Sequence, residues 1–470
     1  MNAPAAEEIF FKGNQHLADG NVAAALACFR QTILVDPACA EAYANLGLLL
    51  ESGGEPHEAE ICYRRSIALD SKCHQSQLNY AAFLAKQKRF EAAESGYLLA
   101  IELDPAAPAT WSNLGVLYAC MKREQEAESC YRLAIELDAS YGNARFNLSY
   151  LLLRQGRFEE GWRHLEARNW SAALAARMNC PRWQGETLAG KSLLIAHEGG
   201  HGDMIQFCRY ATVLKAQGAG RITLICPPEL LPLFAMLDAV DALIPSDQPI
   251  PNTGWDYWTP LFSLPYHCAT RIDSIPAAVP YLQAPSERIE KWARLLPQGG
   301  FRIGVAWKGN PRFENDQDRS LPGLDLLVPL GAVKDALFIS LQKGAGEDQA
   351  QRPPVGFPLI VPESPIEDFA DSAAIVSCLD LVISVDTAVA HLAGALGIPC
   401  WVLLPDFKTD WRWLTERTDT PWYPGMRLFR QAEMGKWQSV IAEVLVALEQ
   451  AVLKRPETRP VSEAARSSKN

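Results

Sequence analysis

A spacing of 34 residues recurs through the first third of this 470-residue chain. Three columns share the spacing: one of small residues, a second of small residues twelve positions later, and one that is mostly aromatic. In that order, the members are Gly13, Gly47, Ala81, Gly115 and Ser149; Ala25, Ala59, Ala93, Ala127 and Gly161; and Phe29, Tyr63, Tyr97, Tyr131 and Leu165. Because a fixed period of about 20–50 residues is typical of repeat arrays, the columns predict a stack of similar units.

The columns fit a repeated helical hairpin. A small residue on the first helix admits the small residue of the second helix, and we expect the aromatic residue to fill the seam to the next repeat. One hairpin cannot bury its apolar face alone, so neighbouring hairpins must stack. Over residues 6–170 the pattern resembles the tetratricopeptide repeat, in about five copies. The resemblance implies an α-solenoid whose concave surface binds a protein or peptide, with a rigid spacer or dimerisation arm as the alternative.

The rest of the chain alternates short apolar, β-branched runs with helical stretches. The runs cover residues 192–196, 222–226, 301–307, 337–341, 359–361, 379–385 and 400–404. Strands that are apolar throughout and separated by helices predict parallel sheets covered on both faces. We interpret segment 280–300, which contains several prolines and glycines, as a linker between α/β lobes at 188–284 and 301–453. A polar tail at 454–470 is expected to be disordered.

Composition narrows the class of protein. The formal net charge of −11 argues against a nucleic-acid partner, which requires a basic face. No apolar run approaches the roughly 20 residues of a membrane helix, and the first residues lack the charged and apolar regions of a signal peptide. We therefore expect a cytoplasmic protein with no membrane span.

A glycine-rich stretch, residues 198–203, follows the first apolar run. His197 and His201 match the HExxH pattern of zinc peptidases, which needs both histidines on one helix face. Two central glycines would cost such a helix roughly 2 kcal/mol, so we interpret the stretch as a loop that leads into a helix at 204–217. Asp203 is then either a cap of that helix or a general base that takes a proton from an acceptor hydroxyl.

A second informative stretch, residues 379–399, is typical of a strand, a tight loop and a helix. The free N–H groups and partial positive charge of a helix start suit a diphosphate. Thr387 can donate a hydrogen bond there, and His391 can face the same ligand from one turn further on. Alternatively, Asp386 or Thr387 only caps the helix and His391 is a surface residue.

A third cluster follows the first strand of the second lobe. Lys308 and Arg319 would neutralise phosphate charge, with Asn310 between them, unless the segment is only a solvated polar loop. The aromatic-rich segments 406–413 and 422–424 offer stacking faces for a base or sugar, or pack in the core. The sequence contains no P-loop, complete GxGxxG or GxSxG motif, which disfavours kinases, dinucleotide oxidoreductases and serine hydrolases.

Residues 384–397 resemble the nucleotide-sugar motif of the bacterial heptosyltransferase family, glycosyltransferase family 9. That motif runs Asp-Thr-Gly, two residues, then His-Leu-Ala, and Ala388 stands where the family has glycine. The Gly202-Asp203 pair also resembles this family, in which the aspartate is regarded as the catalytic base. Repeats followed by two lobes are similar to protein O-linked N-acetylglucosamine transferase and to bacterial tetratricopeptide-repeat proteins with a glycosyltransferase-like C-terminal half. In the latter group the loop at 198–203 usually reads Glu-Gln-Gly-Leu-Gly-Asp.

The resemblance implies the two-lobed GT-B architecture and transfer of a sugar, with inversion, from a nucleotide-sugar donor to a protein or glycan acceptor. Asp203 would be the base, in a loop that brings Gly200, His201 and Gly202 near the site. The residues that the resemblance and the charge pattern assign to the donor are Lys308, Asn310, Arg319, Asp386, Thr387, Ala388 and His391. No metal or other cofactor is implied. The helix at 437–453 would pack across both lobes.

Three alternatives stay open at this point. Ala388 and His201 depart from the family pattern, which favours a non-catalytic interaction scaffold with a degenerate transferase half. A zinc peptidase built on His197 and His201 is the second alternative. An epimerase that processes nucleotide sugars would have a similar two-lobed fold.

Overall fold

The computed structural model describes residues 3–251 and 254–454 and divides the chain into two compact units. The first unit comprises Met1–Leu151 and the second Leu152–Asn470. We predicted a disordered tail at 454–470. All of this segment except Lys454 lies outside the described residues.

The first unit is built from helices joined by short turns. With a helix that continues into the second unit, they are α1 (Ala3–Ala18), α2 (Val22–Val35), α3 (Ala40–Ser52), α4 (Pro56–Leu69), α5 (His74–Lys86), α6 (Phe90–Leu103), α7 (Pro108–Cys120), α8 (Glu124–Leu137) and α9 (Gly142–Arg154). From α1 to α8 each odd-numbered helix packs on the next helix, and α2, α4 and α6 also pack on the first helix of the following pair. The predicted N-terminal solenoid of helical repeats is confirmed.

The glycines of the first small-residue column contact the aromatic residue of their own repeat, which the sequence analysis did not predict. A Cβ atom built on Gly115 would lie 2.6 Å from Cε1 of Tyr131, so the aromatic ring lies on the glycine of its own repeat. Gly47 and Tyr63 repeat this contact at 3.0 Å. The ring of Tyr63 also lies 5.5 Å from that of Phe83 on the next repeat. In these repeats the aromatic residue therefore packs within its own hairpin, and Tyr63 also fills the seam to the next repeat that we expected it to fill.

The second unit alternates strands and helices. Its strands are β1 (Ser192–Ala196), β2 (Arg221–Cys226), β3 (Ala242–Pro245), β4 (Tyr257–Pro260), β5 (Phe301–Ala306), β6 (Ala336–Ser340), β7 (Leu359–Ile360), β8 (Leu381–Val385), β9 (Cys400–Leu404) and β10 (Met426–Arg430). Its α-helices are α10 (Phe158–Leu165), α11 (Ser171–Ala175), α12 (His201–Phe207), α13 (Tyr210–Ala216), α14 (Leu231–Phe234), α15 (Leu264–His267), α16 (Ser286–Leu295), α17 (Asp316–Arg319), α18 (Glu347–Ala350), α19 (Phe369–Ser377), α20 (Ala388–Ala395) and α21 (Trp437–Leu453). Its 3₁₀ segments are Pro228–Leu230, Leu261–Ser263, Leu324–Ala332 and Trp411–Trp413.

The strands form two sheets in which every pair is parallel, as the apolar runs predicted. The order is β3-β2-β1-β4 in the first sheet and β10-β9-β8-β5-β6-β7 in the second. In open α/β sheets, ligands bind beyond the carboxyl ends of the strands where the strand order reverses. The reversals lie between β1 and β4 and between β5 and β8. The loops after these strands are therefore the candidate ligand-binding region.

Two expectations about the second unit are wrong. Segment 280–300, interpreted as a linker, contains helix α16, whose Trp292 donates a 2.9 Å hydrogen bond from Nε1 to Asp371 of α19. Helix α21, expected across both lobes, instead packs in the core of the second sheet: its buried Val440 and Val444 share that core with Phe338 of β6. An apolar face on a terminal helix does not specify which sheet it covers.

Within the two described ranges, no helix is both long enough and apolar enough to cross a membrane.

Candidate functional site

The loop after β1 is shaped by a glycine that no other residue could replace. Gly199 has a positive φ of 78°, and a Cβ atom on it would lie 2.4 Å from Oδ2 of Asp203. Helix α12 begins directly after this loop, with Gly200 as its N-cap residue. Asp203 is the third residue of the helix and accepts a 2.6 Å hydrogen bond from the backbone N–H of Gly200. The Asp203 carboxylate thus accepts a hydrogen bond from the N-cap residue, while Asp203 itself lies in the first turn and not at the N-cap position.

The helix predicted over 204–217 is wrong in its start and its continuity. It begins at His201 and is split into α12 and α13 by a turn at Cys208 and Arg209. At the turn, Nε of Arg209 donates a 2.8 Å hydrogen bond to the carbonyl oxygen of Gln206. A side chain therefore occupies a carbonyl that an uninterrupted helix would use in its own ladder.

The HExxH pattern does not have the geometry of a zinc peptidase. His197 lies before α12 and His201 is its first residue, so one helix face does not carry both rings. Glu198 is buried and accepts hydrogen bonds from Nε of Arg168, at 2.5 Å, and from Nε1 of Trp170, at 2.5 Å. Among residues 3–251 and 254–454, no three His, Cys, Asp or Glu side chains are grouped to hold a metal ion.

The loop after β8 leads into α20 through the residues that the sequence singled out. Thr387 is the N-cap residue and Ala388 the first helical residue, and the hydroxyls of Thr387 and Ser384 are 3.1 Å apart. His391 is not the surface residue of the alternative interpretation, because only 5% of it is exposed. Its Nδ1 lies 2.9 Å from the hydroxyl of Tyr423, which fixes the orientation of the ring.

The two loops meet. A Cβ atom built on Gly202 would lie 2.8 Å from Cδ2 of His391 and 3.4 Å from Cα of Ala388. Only a glycine lets the first turn of α12 approach the first turn of α20 this closely. The first turns of α12 and α20 therefore pack directly on each other, beyond the carboxyl edges of both sheets.

The electrostatics of this site favour neutral forms of two groups. Burial raises the pKa of Asp386 to about 6, and the neighbouring Asp410 raises it as well, against the lowering effect of Arg319. Burial and then the charges of Arg412 and other arginines hold the pKa of His391 well below its usual range. His391 is therefore an uncharged ring at neutral pH, and Asp386 is readily protonated in mildly acidic solution.

Opposing effects act on the pKa of Asp203. Burial raises the pKa of its carboxyl, while the guanidinium of Arg412 and the N–H of Gly200 lower it. Asp410 and Glu198 add negative charge and raise it again. The net direction of the pKa of Asp203 is upward from its ordinary value.

The loop after β5 brings one of its three candidates to the site. Arg319 acts on Asp386 and His391 electrostatically, and its Nε donates a 3.1 Å hydrogen bond to Asp316. Lys308 instead donates a 3.0 Å hydrogen bond from Nζ to the carbonyl oxygen of Pro322.

Two other candidates from the sequence lie in different surroundings. Asn310 is exposed and accepts a hydrogen bond from the backbone N–H of Arg312. The ring of His201 lies 5.0 Å from that of Phe369, with its Nε2 3.5 Å from Glu229.

The segment after β9, predicted to offer aromatic faces, also supplies a charged residue to which the sequence analysis gave no role. Arg412, with 8% of its side chain exposed, donates from Nη2 to Oδ1 of Asp203. It also donates from Nη1 to both oxygens of Asp410, at 3.0 and 3.1 Å. The ring of Trp413 stacks on that of His391, with centroids 5.4 Å apart. The sequence did contain a signal for these residues. The segment follows β9, another parallel strand of the second sheet, and ligands bind beyond the carboxyl ends of such strands.

A depression of about 280 Å³ opens beside the β1 loop. Its lining includes Trp170, Leu174, Arg177, His197, Glu198 and Gly199. Gly199 lies against the carboxylate of Asp203. One backbone segment therefore separates this depression from Asp203.

Comparison with known families identifies the first part of the chain. The tetratricopeptide-repeat family matches residues 12–72 and 52–108, and a second form of the same repeat matches residues 108–141. The N-terminal unit therefore contains tetratricopeptide repeats.

One relative aligns well beyond the repeats. Protein FlbA of Caulobacter vibrioides is 29% identical over 333 residues, which is 65% of this chain and 54% of FlbA. The chain thus spans about half the length of that relative.

Solved structures with similarity cover about a third of the chain. PilF of Pseudomonas aeruginosa is 26% identical, covers 35% of this chain and 75% of its own, and has a TM-score of 0.33. A thermophilic tetratricopeptide-repeat protein of Thermus thermophilus is 22% identical, covers 37% of this chain and 96% of its own, and has a TM-score of 0.33. No inference about activity follows from likeness at these scores.

Proposed function

We propose that the second unit is a glycosyltransferase of the two-lobed GT-B kind, which transfers a sugar from a nucleotide-sugar donor to a protein or glycan acceptor. The observation that carries the proposal is the contact of Gly202 with Ala388 and His391. It joins a carboxylate after the first sheet to a helix start after the second. We call the region between them, beyond the carboxyl edges of both sheets, the crevice. The motif resemblance at 384–397 falls on that helix start.

The donor diphosphate is assigned to the start of α20. The first backbone N–H groups of α20, those of Ala388 and Val389, carry the partial positive charge of a helix start. Arg319 adds a full positive charge, and Ala388 presents only a methyl group at the first helical position. Helix N–H groups and a guanidinium can together stabilise a leaving diphosphate, so the reaction needs no metal ion.

The transfer step is a single displacement. Asp203 takes the proton of the acceptor hydroxyl as the hydroxyl oxygen forms a bond to the anomeric carbon of the donor. The bond from that carbon to the diphosphate oxygen breaks, and the electron pair leaves with the nucleoside diphosphate. Attack from the face opposite the leaving group inverts the configuration of the sugar carbon.

We assign the acceptor to the depression lined by Trp170 and Arg177, because Gly199 both lines it and lies against the carboxylate of Asp203. The repeats of the first unit would recruit the protein that carries the acceptor, or a partner of the enzyme, since stacked repeats form extended binding surfaces. Nothing in this scheme requires a nucleic acid, and we place the reaction in the cytoplasm.

A donor screen tests the proposal. The melting temperature of the full chain is measured with uridine, guanosine, cytidine, adenosine and thymidine diphosphates and with sugar nucleotides of each base. We expect one base to raise it, and Arg319→Gln to reduce the gain. Arg312→Gln is the matched control, because Arg312 is exposed on the same loop. Mass spectrometry of candidate acceptors with the selected sugar nucleotide then detects the transferred sugar.

The outcomes separate the proposal from its rivals. A chain that no nucleotide stabilises is not a transferase and is better described as an interaction scaffold. A chain that binds a sugar nucleotide and converts it to an isomer, with no transfer, is an epimerase.

A further inference from the structure

Arg412 is the most heavily engaged cation in the crevice. Its Nη1 donates to both carboxylate oxygens of Asp410, its Nη2 to Asp203, and its Nε to the side-chain oxygen of Gln206 at 2.5 Å. Asp410 belongs to the same short segment as Arg412, two residues away. Asp203 and Gln206 belong to α12, after the first sheet. The guanidinium therefore joins the helix that carries the proposed base to the sheet that carries the proposed donor site.

The charges in the crevice leave no cation in excess. Asp203, Asp386 and Asp410 bring three carboxylates, and Arg412, Arg319 and Arg209 bring three guanidinium groups. Arg319 is also paired with Asp316, and Arg209 is held by backbone carbonyls and the hydroxyl of Tyr281. A nucleoside diphosphate adds more negative charge at the start of α20. Without a rearrangement it would meet net repulsion, because a buried charge requires a partner.

Arg412 is the cation best placed to make that rearrangement. It acts electrostatically on both Asp386 and His391, which flank the first turn of α20. It can keep Asp410, its neighbour in sequence, while it gives up Asp203. Lys308 is less suited, because its ammonium group is directed to the Pro322 carbonyl.

We propose that Arg412 is a shared cation: it pairs with Asp203 while the crevice is empty, and it turns to the donor diphosphate when the donor binds, which leaves Asp203 free to act as the base. This inference rests on the proposed function. It makes Arg412 a positioning residue that couples donor binding to activation of the base. The freed Asp203 remains beside Asp410 and Glu198, both of which raise its pKa. The base is therefore strongest when the sugar to be transferred is present.

The coupling predicts that Asp203 competes with the diphosphate for Arg412. Titration calorimetry measures the affinity of the full chain for the nucleoside diphosphate that stabilises it most. Asp203→Asn removes the competing charge and is expected to tighten binding by about tenfold, since a charged hydrogen bond no longer has to be broken. Arg412→Gln is expected to weaken binding by a similar factor.

The double variant separates competition from a general loss of negative charge. In the Arg412→Gln background, Asp203→Asn is expected to change the affinity less than about twofold, because the two effects share one guanidinium. If Arg412→Gln does not fold, Arg412→Lys takes its place, and the gain from Asp203→Asn should shrink there as well. Inorganic pyrophosphate as a second probe shows whether the diphosphate alone is sufficient.

The results that overturn the inference differ from those that overturn the proposed function. If the wild-type chain binds a nucleoside diphosphate but Asp203→Asn leaves its affinity unchanged, or tightens it equally in both Arg412 backgrounds, the shared cation is refuted and the transferase stands. If the wild-type chain binds none of the nucleoside diphosphates, both fall together.

Discussion

Gly202 and His391 are 189 positions apart in the chain and in direct contact in the fold, with 2.8 Å between Cδ2 of His391 and the place where a Cβ atom on Gly202 would lie. Because that distance is below van der Waals contact, a single methyl group at position 202 must push the two helix starts apart. The contact therefore makes the geometry of the crevice sensitive to one small side chain.

Gly202→Ala should for this reason cost both stability and donor binding. Overpacking of a close contact lowers the free energy of unfolding by about 1–3 kcal/mol. The donor affinity should fall with it, because the start of α20 moves. Gly425→Ala is the matched control, since a Cβ atom there has no neighbour within 4 Å. Urea denaturation and calorimetry give both quantities, and equal behaviour of the two variants would contradict the assignment of the crevice.

Asp203→Asn should abolish most of the transfer activity while leaving the chain folded. A missing general base lowers kcat by about 10²–10⁴-fold. Because the base acts in its deprotonated form and burial raises the pKa of Asp203, wild-type activity should rise with pH through a value above the ordinary aspartate pKa of about 3.9. The pH dependence of kcat/KM in the wild type checks this. Full activity in Asp203→Asn would assign the base elsewhere.

The sequence predicted elements whose character is purely local. Strands β1 and β9 coincide with apolar runs at 192–196 and 400–404, since a strand buried on both faces is apolar throughout. Strands β3, β4 and β10 were missed because their short runs include proline or arginine. The two reversals of strand order follow from pairing between distant strands, which no local pattern carries.

Some residues of the candidate site could likewise be predicted from the sequence, and others could not. Asp203 and Thr387 stand at the first helix starts after apolar strands, so position in the sequence drew attention to them. Arg412 stands between two tryptophans in a segment that was interpreted for its aromatic faces, and its partner Asp203 is 209 residues away. An ion pair between elements of two different sheets becomes visible only when the fold brings them together.

Asp386→Asn should stabilise the folded chain at high pH and not at low pH. The carboxyl has a pKa of about 6 in the folded chain and about 3.8 when unfolded, so between these values the folded state holds more protons. This group therefore favours folding most below pH 4, and the contribution is lost as pH rises through 6. The neutral variant should gain up to about 3 kcal/mol over wild type at pH 8.

Urea denaturation of Asp386→Asn and wild type at pH 4 and pH 8 measures this difference, with Asp238→Asn at an exposed position as the control. A variant that is less stable than wild type at pH 8 would show that the Asp386 carboxylate is stabilised by the arginines more than it is penalised by burial.

Glu198→Gln should be among the most destabilising single changes in the second unit. The side chain of Arg168 has no exposed surface, and Glu198 receives two of its hydrogen bonds. Removal of one member of a buried ion pair leaves an uncompensated charge and costs about 3–5 kcal/mol. Glu229→Gln is the control: its side chain is 56% exposed and lies 3.5 Å from His201, so the change should stay within about 0.5 kcal/mol. Urea denaturation followed by tryptophan fluorescence compares them. Equal stability of the two variants would mean that Glu166, the other carboxylate on Arg168, is sufficient to balance its charge.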